Sequence, residues 1–199
     1  MRTTRLLAGI AIMAMFVAVP ALAQQSQHVR GTIESANGSV LVIKQDAGDV
    51  TVKLADNAQV FGVVPATLAD VKAGDYIGAG AMPQPDGSQK AIQVMIFAAS
   101  QRGLGEGFRP WDRPGSTMTN GTVDATATGV DGRVLTVKYK DGEQKIVIGQ
   151  DAVIRAYVVG DKSELKPGAH IAIIRADKMP DGTLQTNRVN VGRDGVVPQ

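Results

Sequence analysis

Two histidines, no cysteine and a scatter of serines and carboxylates are what these 199 residues offer to catalysis or metal binding. His28 and His170 stand far apart. No His-x-x-x-His or Glu-x-x-His spacing occurs, so a zinc or copper site would have to be gathered from scattered carboxylates. Met82, Met95, Met118 and Met179 are too dispersed for a copper-binding cluster and read as core fillers. Nucleophilic catalysis needs a hydroxyl beside a base and an orienting acid. Ser39, Ser88, Ser100, Ser116 and Ser163 all fall in turn or linker contexts, none within Gly-x-Ser-x-Gly. Asp86 and Asp181 occur in matching Pro-Asp-Gly triplets, which turn geometry accounts for. A two-carboxylate hydrolase site assembled from separate strands remains an alternative. Gly103-Leu-Gly-Glu-Gly107 lacks the spacing of a dinucleotide fingerprint, and no Lys-Ser or Lys-Thr closes a phosphate loop. The expectation is a protein with no catalytic residue, no metal ligand and no cofactor.

Binding chemistry is better represented. Residues 98–118 hold four glycines, two prolines and the run Phe108-Arg-Pro-Trp-Asp-Arg113, with the only tryptophan of the chain. A freely swinging linker would leave the apolar area of Phe108 and Trp111 in water. Two readings follow. Phe108 and Trp111 pack between the flanking units and fix their angle, or Trp111 with Arg109 and Arg113 forms a platform for a sugar, peptide or anion.

The elements that would position this segment repeat. Ser39-Val-Leu-Val-Ile-Lys44 aligns with Arg133-Val-Leu-Thr-Val-Lys138 at an offset of 94, which also superposes Asn37-Gly38 on Asp131-Gly132 and Gly74 on Gly168. At 95 residues Pro85-Asp86-Gly87 meets Pro180-Asp181-Gly182. Shared turn positions on this scale imply duplication. Asn-Gly and Asp-Gly between apolar runs are hairpin turns. Leu135, Val137 and Tyr139 alternate with Val134, Thr136 and Lys138, a period of two that means strand. The one exception in each copy is 66–74 and 161–168, where a single helical turn with Leu68 or Leu165 inward plugs a barrel end. The expected fold is all-β: two tandem small six-stranded antiparallel barrels, OB-like or SH3-like, over residues 24–97 and 119–199, joined by 98–118.

Val29-Arg-Gly-Thr-Ile33, the Val71-Lys-Ala-Gly74 turn and the closing Asp-Gly hairpin resemble an uncharacterised family of exported bacterial β-domains, numbered among the domains of unknown function, here in two copies. The resemblance covers nearly all the chain after residue 23 and rests on turn and core positions. It implies a fold and a compartment and assigns no functional residue. Some similar proteins carry metal-transporter labels, so an accessory role in metal transport is a further alternative.

Arg2 and Arg5, an 18-residue apolar run from Leu6 to Ala23 and the ending Ala21-Leu22-Ala23 form a secretory signal with cleavage after Ala23, hence a signal helix over 1–23 and a periplasmic or secreted product. Removing those two arginines from 21 basic residues leaves 19, against 19 acidic ones. A neutral mature chain has no electrostatic case for nucleic acid. No later apolar run reaches membrane-spanning length, so no integral span is expected after cleavage. Without cysteine, core burial alone must stabilise the fold. The functional expectation is a non-catalytic binding or interaction module for an envelope protein or small ligand. A self-assembling structural protein is the alternative.

Overall fold

The computed structural model describes residues 26–129 and 132–198. The signal assigned to 1–23 and the Asp131 half of its hairpin turn lie outside them. The chain opens with β1 (Ser26–Asn37), β2 (Val40–Lys44), β3 (Val50–Pro65), β4 (Tyr76–Pro83) and β5 (Gln89–Ile96). A short β6 (Gly107–Pro110) follows. The later part holds β7 (Thr117–Gly129), β8 (Gly132–Tyr139), β9 (Gly142–Ile148), β10 (Val153–Val159), β11 (His170–Lys178) and β12 (Leu184–Gly192). The period-two reading holds: Leu135 and Val137 of β8 and Ile146 and Ile148 of β9 are wholly buried, while Lys138 and Lys145 are exposed. The helical turns fall where expected, as single 3-10 turns at Leu68–Asp70 and Lys162–Glu164. Leu165 enters one core and Leu68 packs against the other.

The strands close into a barrel, and they do so across the halves. β1 pairs with β2, β2 with β3, β3 with β12, β12 with β11, and β11 returns to β1. Every contact in this five-strand circuit is antiparallel except β3 with β12. The remaining strands repeat the pattern: β7, β8, β9, β5 and β4 pair in that order, β4 returns to β7, and β9 with β5 is the parallel contact. Each circuit therefore takes three strands from one half and two from the other. The cores follow suit. Ile33, Ile43 and Val52 bury against Ile171, Ile173 and Val189, and Ile77 and Val94 bury against Leu135, Val137 and Ile146.

This corrects the expectation of one self-contained six-stranded barrel per half. The difference lies in β3, which stays in the sheet over 16 residues, with an irregularity against β12 between Leu54 and Gln59 but no reversal of the chain. It delivers the chain to the far side, where β4 and β5 meet the strands of the later half. In that half the matching path is broken into β9 and β10 around Gly149–Ala152. β10 then bridges the two circuits, antiparallel to β3 and parallel to β5.

Local geometry recurs between the halves. Thr32 faces Lys44 and Thr122 faces Lys138, each followed by a bulge, so the halves are 90 residues out of step before the first hairpin and 94 after it. The second hairpin is thus four residues longer. Gly31 and Gly121 occupy one environment: an added Cβ would lie 2.1 Å from the Lys44 carbonyl oxygen or 2.4 Å from that of Lys138. Only glycine permits such an approach.

Candidate functional site

The residues expected to bind lie on or beside β6, which pairs with β7 through Phe108 with Thr119 and Arg109 with Met118. The segment is ordered by that pairing and by a 3-10 turn at Ala99–Gln101. β7 already begins at Thr117, inside the stretch expected to connect. Strand alternation sets Phe108 and Arg109 on opposite faces. Phe108 is 41% exposed. The Arg109 Nη1 donates to the Gly105 carbonyl at 2.7 Å. Arg113 is exposed in the following turn, where its carbonyl accepts from the Ser116 amide at 2.9 Å and its hydroxyl at 2.6 Å. Trp111 is half-buried, its amide donating to the Ser116 carbonyl at 3.0 Å.

What receives Trp111 is the outer face of β4. Along Tyr76-Ile-Gly-Ala-Gly-Ala81, Ile77 and Ala79 point into the core, so Tyr76, Gly78 and Gly80 share the other face. A Cβ on Gly80 would stand 2.4 Å from Cζ3 of Trp111, and one on Gly78 would stand 3.0 Å from Cε2 of Phe97. Two aromatic rings therefore pack against successive outward glycines. Gly80 pairs with Met118, which pairs with Arg109, so Trp111 and Arg109 belong to one surface.

That surface continues as a row of rings across β4, β5, β10 and β3. Tyr76 and Phe97 have centroids 5.3 Å apart, Phe97 and Tyr157 5.4 Å, and Tyr157 and Phe61 6.4 Å, all edge to face. Guanidinium groups close both ends: Arg102 lies 5.9 Å from the Tyr76 centroid and Arg188 lies 5.4 Å from that of Phe61. Edge-to-face pairs of this kind contribute about 0.5–1.5 kcal/mol each beyond area burial. Burial, reinforced by the charge of Glu106, pushes the Tyr76 phenol up to about 12, so it stays protonated and donates to the Leu104 carbonyl at 3.2 Å. Burial raises Tyr157 as well. It also disfavours the charged form of Arg188, which makes no ion pair among the described residues.

Sequence reasoning singled out Trp111 and Arg109 and missed Phe61, Tyr76, Phe97, Tyr157 and Arg188. The outward glycines of β4 were the available signal, since glycine at alternate positions of a strand marks close approach by another group.

Elsewhere the chemistry is sparse. The two Pro-Asp-Gly turns border open hollows of about 800 and 700 Å³ at separate places. Their carboxylates are engaged in the turns themselves. Asp86 accepts from the Ser88 hydroxyl at 2.7 Å and amide at 2.9 Å, and Asp181 does the same with Thr183. Those bonds hold both acids below the usual carboxylate range. His170 shares a hydrogen bond with the Thr32 hydroxyl at 3.0 Å. Among the described residues no group of three or more His, Asp or Glu side chains converges. No helix among them is long and apolar enough to cross a membrane. No family model, curated protein or solved structure matches the chain.

Proposed function

We propose that this protein is an exported, non-catalytic binding module that recognises an envelope protein or small ligand across the aromatic face bordered by β6. In this reading a signal over 1–23 is cleaved after Ala23, placing the product in the periplasm or outside the cell. The rest derives from duplication of one OB-like or SH3-like unit of the exported domain family it resembles. The matched environments of Gly31 and Gly121, and the single parallel contact in each circuit, support that origin. The carrying observation for binding is Trp111, seated on Gly80 yet only half-buried, with Arg109 on the same surface. A half-exposed ring on the same face as a planar cation offers a platform for sugar, peptide or anion. The test is Trp111→Ala with Arg109→Ala against a glycan array and an envelope pull-down. Partners captured by the wild type should be lost by the double variant, and capture unchanged by it sinks the reading.

A second reading is self-assembly. Among the described residues β6 is a four-residue strand paired on one side only, and Phe108, Val153 and Val159 are exposed apolar side chains, the last at 73%. Such an edge is a template for another chain. Sedimentation of a strict monomer at high concentration would discard it.

A further inference from the structure

Arg188 is half-buried, its guanidinium lies over Phe61, and no carboxylate among the described residues pairs with it. A buried cation without a counter-ion is costly, and proteins ordinarily supply one. Two more arginines that make no ion pair among the described residues belong to the same face. Arg155 precedes Tyr157 by two residues on β10 and therefore shares its face. Arg30 stands on the same outward face three strands from Phe61: it pairs with Ala172, Ala172 with Asn190, and Asn190 with Phe61. The Tyr157 hydroxyl makes no hydrogen bond among the described residues. The charges acting on it are those of Arg188, Arg155 and Arg30, with no acid contributing.

We infer that Arg30, Arg155 and Arg188, with the Tyr157 hydroxyl, form an oxyanion-binding site for a ligand carrying carboxylate or phosphate groups. Planar guanidiniums take either group through paired N–H bonds, and the phenol adds a neutral donor. The assignment rests on reading this face as a binding surface, and it gives the ligand a charge. The neutral balance of the chain after residue 23 makes the cluster a local feature rather than part of a general basic coat.

The experiment is calorimetric titration of the full chain with tripolyphosphate and, separately, with trigalacturonate. At least one should bind, with affinity falling steeply as salt rises from about 0.05 to 0.3 M. Arg155→Gln and Arg188→Gln should each weaken binding about tenfold or more. Arg30→Gln, at an exposed position that leaves the core untouched, provides the same readout should Arg188→Gln fail to fold. Tripolyphosphate alone binding assigns the site to phosphate, and trigalacturonate alone assigns it to carboxylate. Binding of neither, or binding unchanged in both Arg30→Gln and Arg155→Gln, overturns the site. If those variants keep a partner that Trp111→Ala loses, the binding surface stands and the oxyanion site alone falls.

Discussion

The amide of Gly168 donates to the carbonyl of Ile33 at 2.8 Å, tying the turn before β11 to the bulge of β1, and Ile33 returns the bond to the Ala169 carbonyl at 2.9 Å. The other circuit repeats the exchange: Gly74 donates to Val123 at 2.8 Å, and Val123 to Asp75 at 2.8 Å. Each turn is thus anchored on the first strand of the opposite half. An isolated half has no such partner, and its core loses the apolar strands that complete it.

Residues 24–104 expressed alone should therefore be unfolded, as should 105–199. Mixing them should restore a β-rich circular-dichroism spectrum and a cooperative melt, because each fragment supplies the two strands that the other lacks. A folded, monomeric 24–104 fragment would contradict the exchanged pairing.

Gly80 sits under Trp111, so Gly80→Ala forces the indole off its seat. Overpacking of this kind costs about 1–3 kcal/mol. The emission of Trp111, reporting a half-covered ring in the wild type, should shift to the red and become more easily quenched. An unchanged spectrum would mean that the ring is held by something other than β4.

The alternation in β8 and β9 and the helical turns at 68–70 and 162–164 were legible in the sequence because each is fixed by neighbours within a few residues. Which half closes which circuit was not. Ile171 is a core residue whichever strand it faces, and its apolar character says nothing about Ile33 belonging to the other half. The length of β3 decides the matter, and no proline or glycine marks where a shorter strand would have ended before Gly62. The site divided the same way. Trp111 announced itself by rarity, whereas Phe61 and Tyr157 stand in apolar strands and become a row only when β10 is laid between β3 and β5.

Arg193 donates to both carboxylate oxygens of Glu164, through Nε at 2.8 Å and Nη2 at 2.7 Å. The paired bonds hold Glu164 below its ordinary 4.5, so the folded state binds its proton less readily than the unfolded one. The sign is then fixed: the pair stabilises above pH 4.5, and that contribution is lost as the pH falls through the lower folded value. Glu164→Gln should lower the melting temperature at pH 7 and narrow its difference from the wild type toward pH 3. A difference that grows on acidification would exclude the pair as the cause.

Tyr157 contacts rings on both sides, Phe61 from one circuit and Phe97 from the other, while its hydroxyl spends no hydrogen bond on the described residues. Its ring and its oxygen should separate under substitution. Tyr157→Ala removes the central ring of the row and should cost about 3 kcal/mol, in the range of large aromatic deletions. Tyr157→Phe keeps the ring and should change stability by less than about 0.5 kcal/mol, while weakening the oxyanion titration. Chemical denaturation checks the first pair of values and calorimetry the last. Equal stability losses in the two variants would show that the hydroxyl, not the ring, holds β10 between β3 and β5.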